Sequence, residues 1–345
     1  MTPEPQDRKD GSVSRRIRVI GEGRIEKVGS RRDSRARGLG RVLRCALALA
    51  IPVVAGGSTT SEHAPSATGI PTTATAQESS GDTLAWGGAY GSKVGLSSDA
   101  MQPSTTIVAS PSLNPIGLAV RGSYVYIAQN ATPAAITRAS LQLGTHPGLT
   151  NVQTSFILLP NANSPPEGVA TDESHVYWTT GSAIGRANLD GSGVEGELIA
   201  NLSVPRGGNI AAKPAQGIAV EGEYIYWAGG GAIGRARLDG SEVNPEFITG
   251  LNQSNPAYIA ADSEHLYWST GESVGRAHLD GSDVEPGFLA AHQPYGIAVD
   301  ATHIYWGGYG APIGRATIAG TQPEPNWLDT QGVAGGVQAL ALASG

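Results

Sequence analysis

The chain has 345 residues, of which 15% are charged and 6% aromatic, with 48 Gly, 22 Pro and one Cys. A single cysteine excludes a disulfide scaffold and a cysteine-ligated metal centre, and Gly plus Pro, 70 of 345 residues, is turn-rich yet short of a collagen-like repeat. The net charge of −7 divides unevenly: residues 1–44 hold 13 Lys/Arg and 6 Asp/Glu, which leaves 10 basic and 24 acidic residues, a charge of −14, for residues 45–345. An acidic body without a basic, aromatic-studded face argues against nucleic acid as a partner.

The first element in chain order is not a folded one. An arginine-rich stretch at 31–44 leads into an unbroken apolar run at 45–55 (CALALAIPVVA) and then into a Ser/Thr/Ala/Pro/Gly-rich tract. Positive region, short apolar region and small-residue exit, in that order, form the pattern of an export signal. Eleven apolar residues with Pro52 among them are too few to span a bilayer comfortably. Residues 1–55 therefore read as a basic region with a signal cleaved after Ala55, the alternative being an uncleaved anchor that would supply the chain's only membrane contact. Residues 56–82 read as a disordered tether. The expected location is secreted or in the cell envelope.

Residues 83–345 are organised by repeats. SHVYWTTGSAIGRANLDGS (174–192) returns as EYIYWAGGGAIGRARLDGS (223–241), EHLYWSTGESVGRAHLDGS (264–282) and HIYWGGYGAPIGRATIAGT (303–321). The tryptophans Trp178, Trp227, Trp268 and Trp306 are 49, 41 and 38 residues apart. A period near forty, made of short segments whose apolar residues alternate, fits the four-stranded blade of a β-propeller and not a helical repeat. In one unit, GIAVE (217–221), EYIYWAG (223–229), AIGRARL (232–238) and PEFITGL (245–251) are the four predicted strands. Asp-Gly at 190–191, 239–240 and 280–281 turns the third strand into the fourth. PIGLAVRGSYVYIAQN (115–130) with ITRASL (136–141) is a degenerate blade, and TLAWGGAYGSKVGLSSD (83–99) is one that lacks its first strand. GVQALALAS (336–344) has the pattern of a first strand with nothing after it, so it is expected to complete the first blade and close a ring of six. The 263 residues from 83 to 345 give about 44 per blade, as propellers require.

The string IYW followed by IGRANLDGS resembles the YWTD repeats of low-density lipoprotein receptor-type six-bladed propellers, and the resemblance, as of a secreted bacterial relative, covers roughly 83–345. It implies an all-β, six-bladed propeller. The family's Asp after Tyr-Trp-Thr is here Thr180, Gly229, Thr270 and Gly308, so receptor-type ligand binding does not carry over and the hydrogen bonds of that Asp need another source.

Four arginines at one repeated position, Arg186, Arg235, Arg276 and Arg315, with Arg138 as a fifth, are expected to pair with carboxylates or stack on aromatics between blades. His175, His265 and His303 also share a position, taken by Tyr124 and Tyr224 in other blades, on the outer part of the blade where they do not converge on a metal. Variation within the repeat points elsewhere. The loops feeding each first strand place Ile116, Glu167, Gln216, Tyr258, Tyr295 and Gln338 around one rim of the central channel. A carboxylate, two amides and two phenols suit a sugar or another polyol, so Glu167, Gln216, Tyr258, Tyr295 and Gln338 are the candidate ligand-binding residues. The function expected is a non-catalytic binding or interaction module for a glycan or protein, with no catalytic residue, metal or cofactor assigned. Six-bladed propellers also include lactonases, which makes a calcium-assisted hydrolase at the same channel the alternative. Its metal would draw on Glu167 with Asn114, Asn255 and Asp172. Neither a G-x-S-x-G nucleophile elbow nor an H-E-x-x-H helix is read from the sequence. As a platform for another protein, the chain would offer its acidic third-to-fourth turns, DGSEVNPE and DGSDVEPG.

Overall fold

The computed structural model describes residues 83–88, 93–97, 105–109, 113–142, 148–159, 165–202, 215–251, 256–330 and 336–343. The export segment, the tether and Asn255 lie outside the described residues. All described regular structure is β: twenty-four strands in six four-stranded antiparallel sheets.

Each sheet is one blade. In the second blade β4 (Pro115–Arg121), β5 (Tyr124–Gln129), β6 (Ala135–Gln142) and β7 (Gly148–Leu158) follow one another outward, and the third repeats the order with β8 (Pro166–Thr171), β9 (His175–Thr180), β10 (Ala183–Asn188) and β11 (Glu195–Ile199). The fourth comprises β12 (Gly217–Glu221), β13 (Tyr224–Gly229), β14 (Ala232–Arg237) and β15 (Asn244–Ile248). The fifth has β16 (Ile259–Ala261), β17 (His265–Ser269), β18 (Ser273–His278) and β19 (Glu285–Ala290); the sixth has β20 (Pro294–Val299), β21 (His303–Gly308), β22 (Ala311–Thr317) and β23 (Glu324–Leu328). The first blade is assembled from both ends of the ring: β24 (Val337–Ala343) is its inner strand, followed outward by β1 (Thr83–Gly88), β2 (Lys93–Ser97) and β3 (Thr105–Ala109). The predicted closure is therefore the observed one, with Thr83 opposite Ala343 and Trp86 opposite Leu340.

The repeat is explained by two packing contacts. Each blade's Trp lies under the glycine that precedes the repeated Arg in the third strand. A Cβ on Gly185, Gly234, Gly275 or Gly314 would overlap the indole of Trp178, Trp227, Trp268 or Trp306, and Gly95 stands in the same relation to Trp86. These tryptophans are almost wholly buried between neighbouring blades, as in the cluster that joins Tyr177 and Ile184 of one blade to Ile225 and Trp227 of the next. The second contact uses the glycine of the Asp-Gly turn, whose positive φ suits that residue. Gly281, at φ 85°, abuts Phe247 of the preceding blade, and Gly191 and Gly320 meet Phe156 and Phe288 in the same way.

The repeated arginines tie these interfaces together as expected. Arg138 lies 3.8 Å from the Phe156 ring centre and donates to the Leu189 carbonyl of the next blade, and Arg186 donates to Leu238 O across the next interface. Arg235 and Arg276 cover Phe247 and Phe288, while Arg276 and Arg315 also bond Glu285 and Glu324. On the outermost strands Pro245, Pro286 and Pro325 blunt the exposed edges, which would otherwise present free ladders to another chain.

Aspartates elsewhere in the repeat fix the turns between the first and second strands. Asp172 Oδ1 accepts the N–H groups of Ser174 and His175 while Oδ2 accepts the Tyr177 hydroxyl at 2.7 Å. Asp262 with Tyr267 and Asp300 with Tyr305 repeat the arrangement in the fifth and sixth blades. Burial opposes ionisation of Asp172, but these donors outweigh it and hold its pKa below the usual carboxylate value.

Candidate functional site

The six inner strands surround a cavity of only about 40 Å³ on the ring axis. Its lining is largely aliphatic: Ile116, Leu118, Val169, Ile218, Ile259, Ile297 and Leu340, with Tyr258 among them. The inner strands come this close because four of them carry glycine where they touch. A Cβ on Gly117 would lie 2.7 Å from Glu167 O, one on Gly168 2.5 Å from Gln216 O, and those on Gly217 and Gly296 would meet the backbone at Tyr258 and Gln338. The space suffices for about one water molecule, so a ligand can meet this channel only at an end.

Glu167 and Gln216 sit one residue before the close-approach glycines of adjacent blades. Thr179 pins their strands together: its Oγ1 accepts the Gly168 N–H at 2.8 Å and donates to the Gln216 carbonyl at 2.7 Å. The Gln216 side chain in turn hydrogen-bonds Glu167, which is half-buried. Burial raises the Glu167 pKa above its ordinary value, and the bond from Gln216 offsets only part of that rise.

Tyr258 stands at the glycine position itself, one of the two places, just before or at that glycine, that the spacing allows. Ala257 N–H donates to Ser269 O as Gln216 N–H donates to Ala228 O, so Ala257 is the counterpart of Gln216 and Tyr258 occupies the glycine position. The fifth blade thus puts a phenol into the seam with the sixth, where Tyr258 packs beside Ile297 and Ile304. Its ring meets that of Tyr295 edge-on, with 6.5 Å between centres. Burial raises the Tyr258 pKa, and the Glu167 charge and Tyr295 add to it, which places the carboxyl and both phenols within one electrostatic neighbourhood. Gln338 is half-buried at the equivalent position of β24, its backbone against Gly296. The structure thus joins Glu167 to Gln216 and Tyr258 to Tyr295, and sets Gln338 on the strand beside Gly296.

Of the residues considered for calcium, Glu167, Asp172 and Asn114 are described, and Asp172 stands apart from the rim. Asp172 is at the far end of β8 from Glu167, roughly 16 Å away by strand rise, and its oxygens are taken up by the turn and Tyr177. Asn114, before β4, donates to Asn130 O within its own blade. The histidines also stay apart: His175 lies 3.5 Å from Asp172, His303 bonds Thr302, and His265 stacks on His278 with ring centres 4.6 Å apart. One reading of the sequence needs correction: the letters of a G-x-S-x-G elbow do occur, at 271–275, GESVG. Ser273 begins a β-strand in a hairpin, and its Oγ donates to Pro286 O at 3.0 Å and contacts Thr270 Oγ1, so it is a turn residue without the strand-to-helix setting.

A raised carboxyl pKa fixes the sign of one prediction. The folded chain holds the Glu167 proton more tightly than the unfolded chain, so ionising Glu167 destabilises the fold, and stability is lost as pH rises through the folded pKa. Glu167→Gln keeps a partner for Gln216 and removes that charge. Its melting temperature should exceed the parent's at pH 8, with the difference closing as pH falls below about 4. A melt at pH 8 that falls below the parent's would show that the carboxylate is held by a favourable partner instead.

No protein-family model matches the chain, and no curated protein matches it. Solved structures do. A chain in the crystal structure of a nidogen–laminin complex superposes with a TM-score of 0.60 at 17% identity, covering 76% of this chain and 98% of that one. A protein of unknown function from Bacteroides caccae gives 0.52 at 8% identity, covering 77% and 100%. At these identities the likeness extends to the fold: this chain is similar to known propellers in architecture.

Proposed function

We propose that the chain is an exported, non-catalytic β-propeller that binds a polar ligand, a glycan or a protein segment, at the channel mouth through Glu167, Gln216, Tyr258, Tyr295 and Gln338. The observation that carries this reading is the Glu167 cluster. The mouth keeps a half-buried carboxyl whose ionisation weakens the fold, with the Gln216 amide bonded to it and its charge felt by Tyr258. A stability cost maintained at an opening is a mark of function. The acidic body keeps nucleic acid out of the set of partners, and export rests on the order of basic and apolar residues before position 56.

The calcium-assisted hydrolase fits less well on its donor set. Calcium takes about six to eight oxygens, whereas the axis is lined mainly by aliphatic side chains and the rim adds one carboxylate, Glu167. The two readings separate in one set of measurements. Tyr295→Ala and Glu167→Gln are expected to lose retention on an array of immobilised oligosaccharides and extracellular proteins, with the Tyr295→Ala melt within a few degrees of the parent. Chelator should leave the parent melt unchanged. An unaltered retention profile would remove the rim from consideration, and a chelator-sensitive melt with lactone turnover would put the hydrolase first.

A further inference from the structure

The second-to-third-strand turns open on the same end of the ring as the loops feeding the inner strands, since strand two runs back toward the start of strand one. In three blades the third residue after the Trp is a glycine, Gly181, Gly230 or Gly271, and these turns carry no aromatic. In the sixth blade that position is Tyr309, which is 53% exposed and flanked by Gly308 and Gly310. Its surroundings place it between two of the rim residues. Gly308 pairs with Pro294, the residue before Tyr295. On the other side a Cβ on Gly336 would lie 2.5 Å from Tyr309 Cα, and Gly336 leads through Val337 to Gln338. Tyr309 thus stands at the seam of the sixth and first blades, beside the strand starts that carry Tyr295 and Gln338.

Resting on the mouth as the ligand site, we propose that Tyr309 is the outer wall of that site and that the ligand is a pyranose-bearing glycan. A sugar ring has an apolar face of C–H groups and a rim of hydroxyls. An exposed phenol ring meets the first, while Glu167 and Gln216 meet the second as acceptor and donor. A protein ligand requires a larger surface, with an apolar or aromatic centre and about 800 Å² buried on each side. Among the described residues the mouth shows no such surface: the aliphatic side chains of the axis are packed against each other in a cavity of about 40 Å³, and the described turns around it are rich in glycine. A compact polar ligand with one flat apolar face fits what is present.

The test uses the full chain against methyl glycosides of glucose, galactose, mannose and N-acetylglucosamine and their short oligosaccharides, read by saturation-transfer NMR and titration calorimetry. At least one pyranose should bind, with transfer strongest at its C–H face. Tyr309→Ala should weaken that binding at least tenfold with an unchanged melt, and Tyr309→Phe, which keeps the ring, should retain most of it. Loss on Glu167→Gln or Tyr295→Ala with no loss on Tyr309→Ala would overturn the role of Tyr309 and leave the mouth as the binding site. Failure of every pyranose would overturn the glycan assignment, and retention of an extracellular protein in that case would keep the mouth with a different ligand. Binding indifferent to Glu167, Tyr295 and Tyr309 alike would overturn both readings.

Discussion

Deletion of residues 336–345 is expected to abolish the cooperative thermal transition of the propeller. The deleted strand is the inner member of the first blade, hydrogen-bonded to β1 along its whole length. It supplies Val337 and Leu340 to one interblade cluster and Ala339 and Ala341 to the other, all of them buried. Burial of Val337 and Leu340 alone contributes about 3–6 kcal/mol, a large part of the roughly 5–15 kcal/mol that holds a domain folded. The deletion also leaves β1 with an unpaired inner edge facing the axis, open to pairing with another chain. A control separates loss of closure from loss of mass. Thr83 lies opposite Ala343, so a turn of about two to four residues can join residue 343 to residue 83. A circular permutant that begins at 336 and ends at 335, with that turn inserted, should melt close to the parent. A two-state melt near the parent's in the deleted chain, or a failed permutant beside a stable deletion, would count against closure by β24 as the source of stability.

The fold was legible because interblade packing is written into single residues. The Trp and the glycine above it recur together in five of the six blades because the indole leaves no room for a Cβ, and the second blade, with Ile127 opposite Thr137, lacks both. The turn glycines recur because each, at positive φ, lies against a large apolar side chain of the preceding blade, Phe156 for Gly191, Leu198 for Gly240, Phe247 for Gly281 and Phe288 for Gly320. Such pairs appear in the sequence as fixed letters at fixed spacing, and even the degenerate first blade retains Trp86 and Gly95.

The mouth was legible only in part, for the opposite reason. A site of this kind is marked by departures from the repeat, and a departure has no template that fixes where its side chain goes. Spacing gave Glu167 and Gln216 their places beside the glycines. It left Tyr258 either just before or at the glycine position, and the pairing of Ala257 with Ser269 decides for the glycine position itself. It also gave no sign that the axis is nearly filled by side chains, because alternate aliphatic residues read the same whether they line a channel or close it. Tyr309 passed unnoticed inside a Gly-Gly-Tyr-Gly turn, and the signal available was its substitution for a glycine found in three sister blades.

The Trp–Gly contact predicts a large effect of a very small change. Gly234→Ala adds one methyl group in the middle of β14, where it overlaps Cε2, Cζ2 and Nε1 of Trp227. Those atoms belong to a rigid ring buried between the fourth blade and its neighbours, so the indole has no exposed end to swing away. Overpacking of a dense core costs about 1–3 kcal/mol, more where backbone must move. Trp227→Ala empties the site instead and is expected to cost about 3–5 kcal/mol. The informative comparison is Trp227→Phe in both backgrounds. Phenylalanine's single, smaller ring lacks the Nε1–Cε2–Cζ2 edge of the indole that meets the new methyl group. It also lacks the Nε1–H, which is buried without a hydrogen-bond partner among the described residues, so its loss carries no penalty of a broken bond. In the parent, Trp227→Phe should destabilise through lost packing. Beside Ala at 234 it should cost much less or restore stability, a coupling of at least 1 kcal/mol in a double-mutant cycle measured by urea denaturation. Additive effects of the two substitutions would mean that the glycine repeats for a reason other than the indole above it. The same cycle on Gly185 and Trp178 should give the same sign, because that pair is built alike.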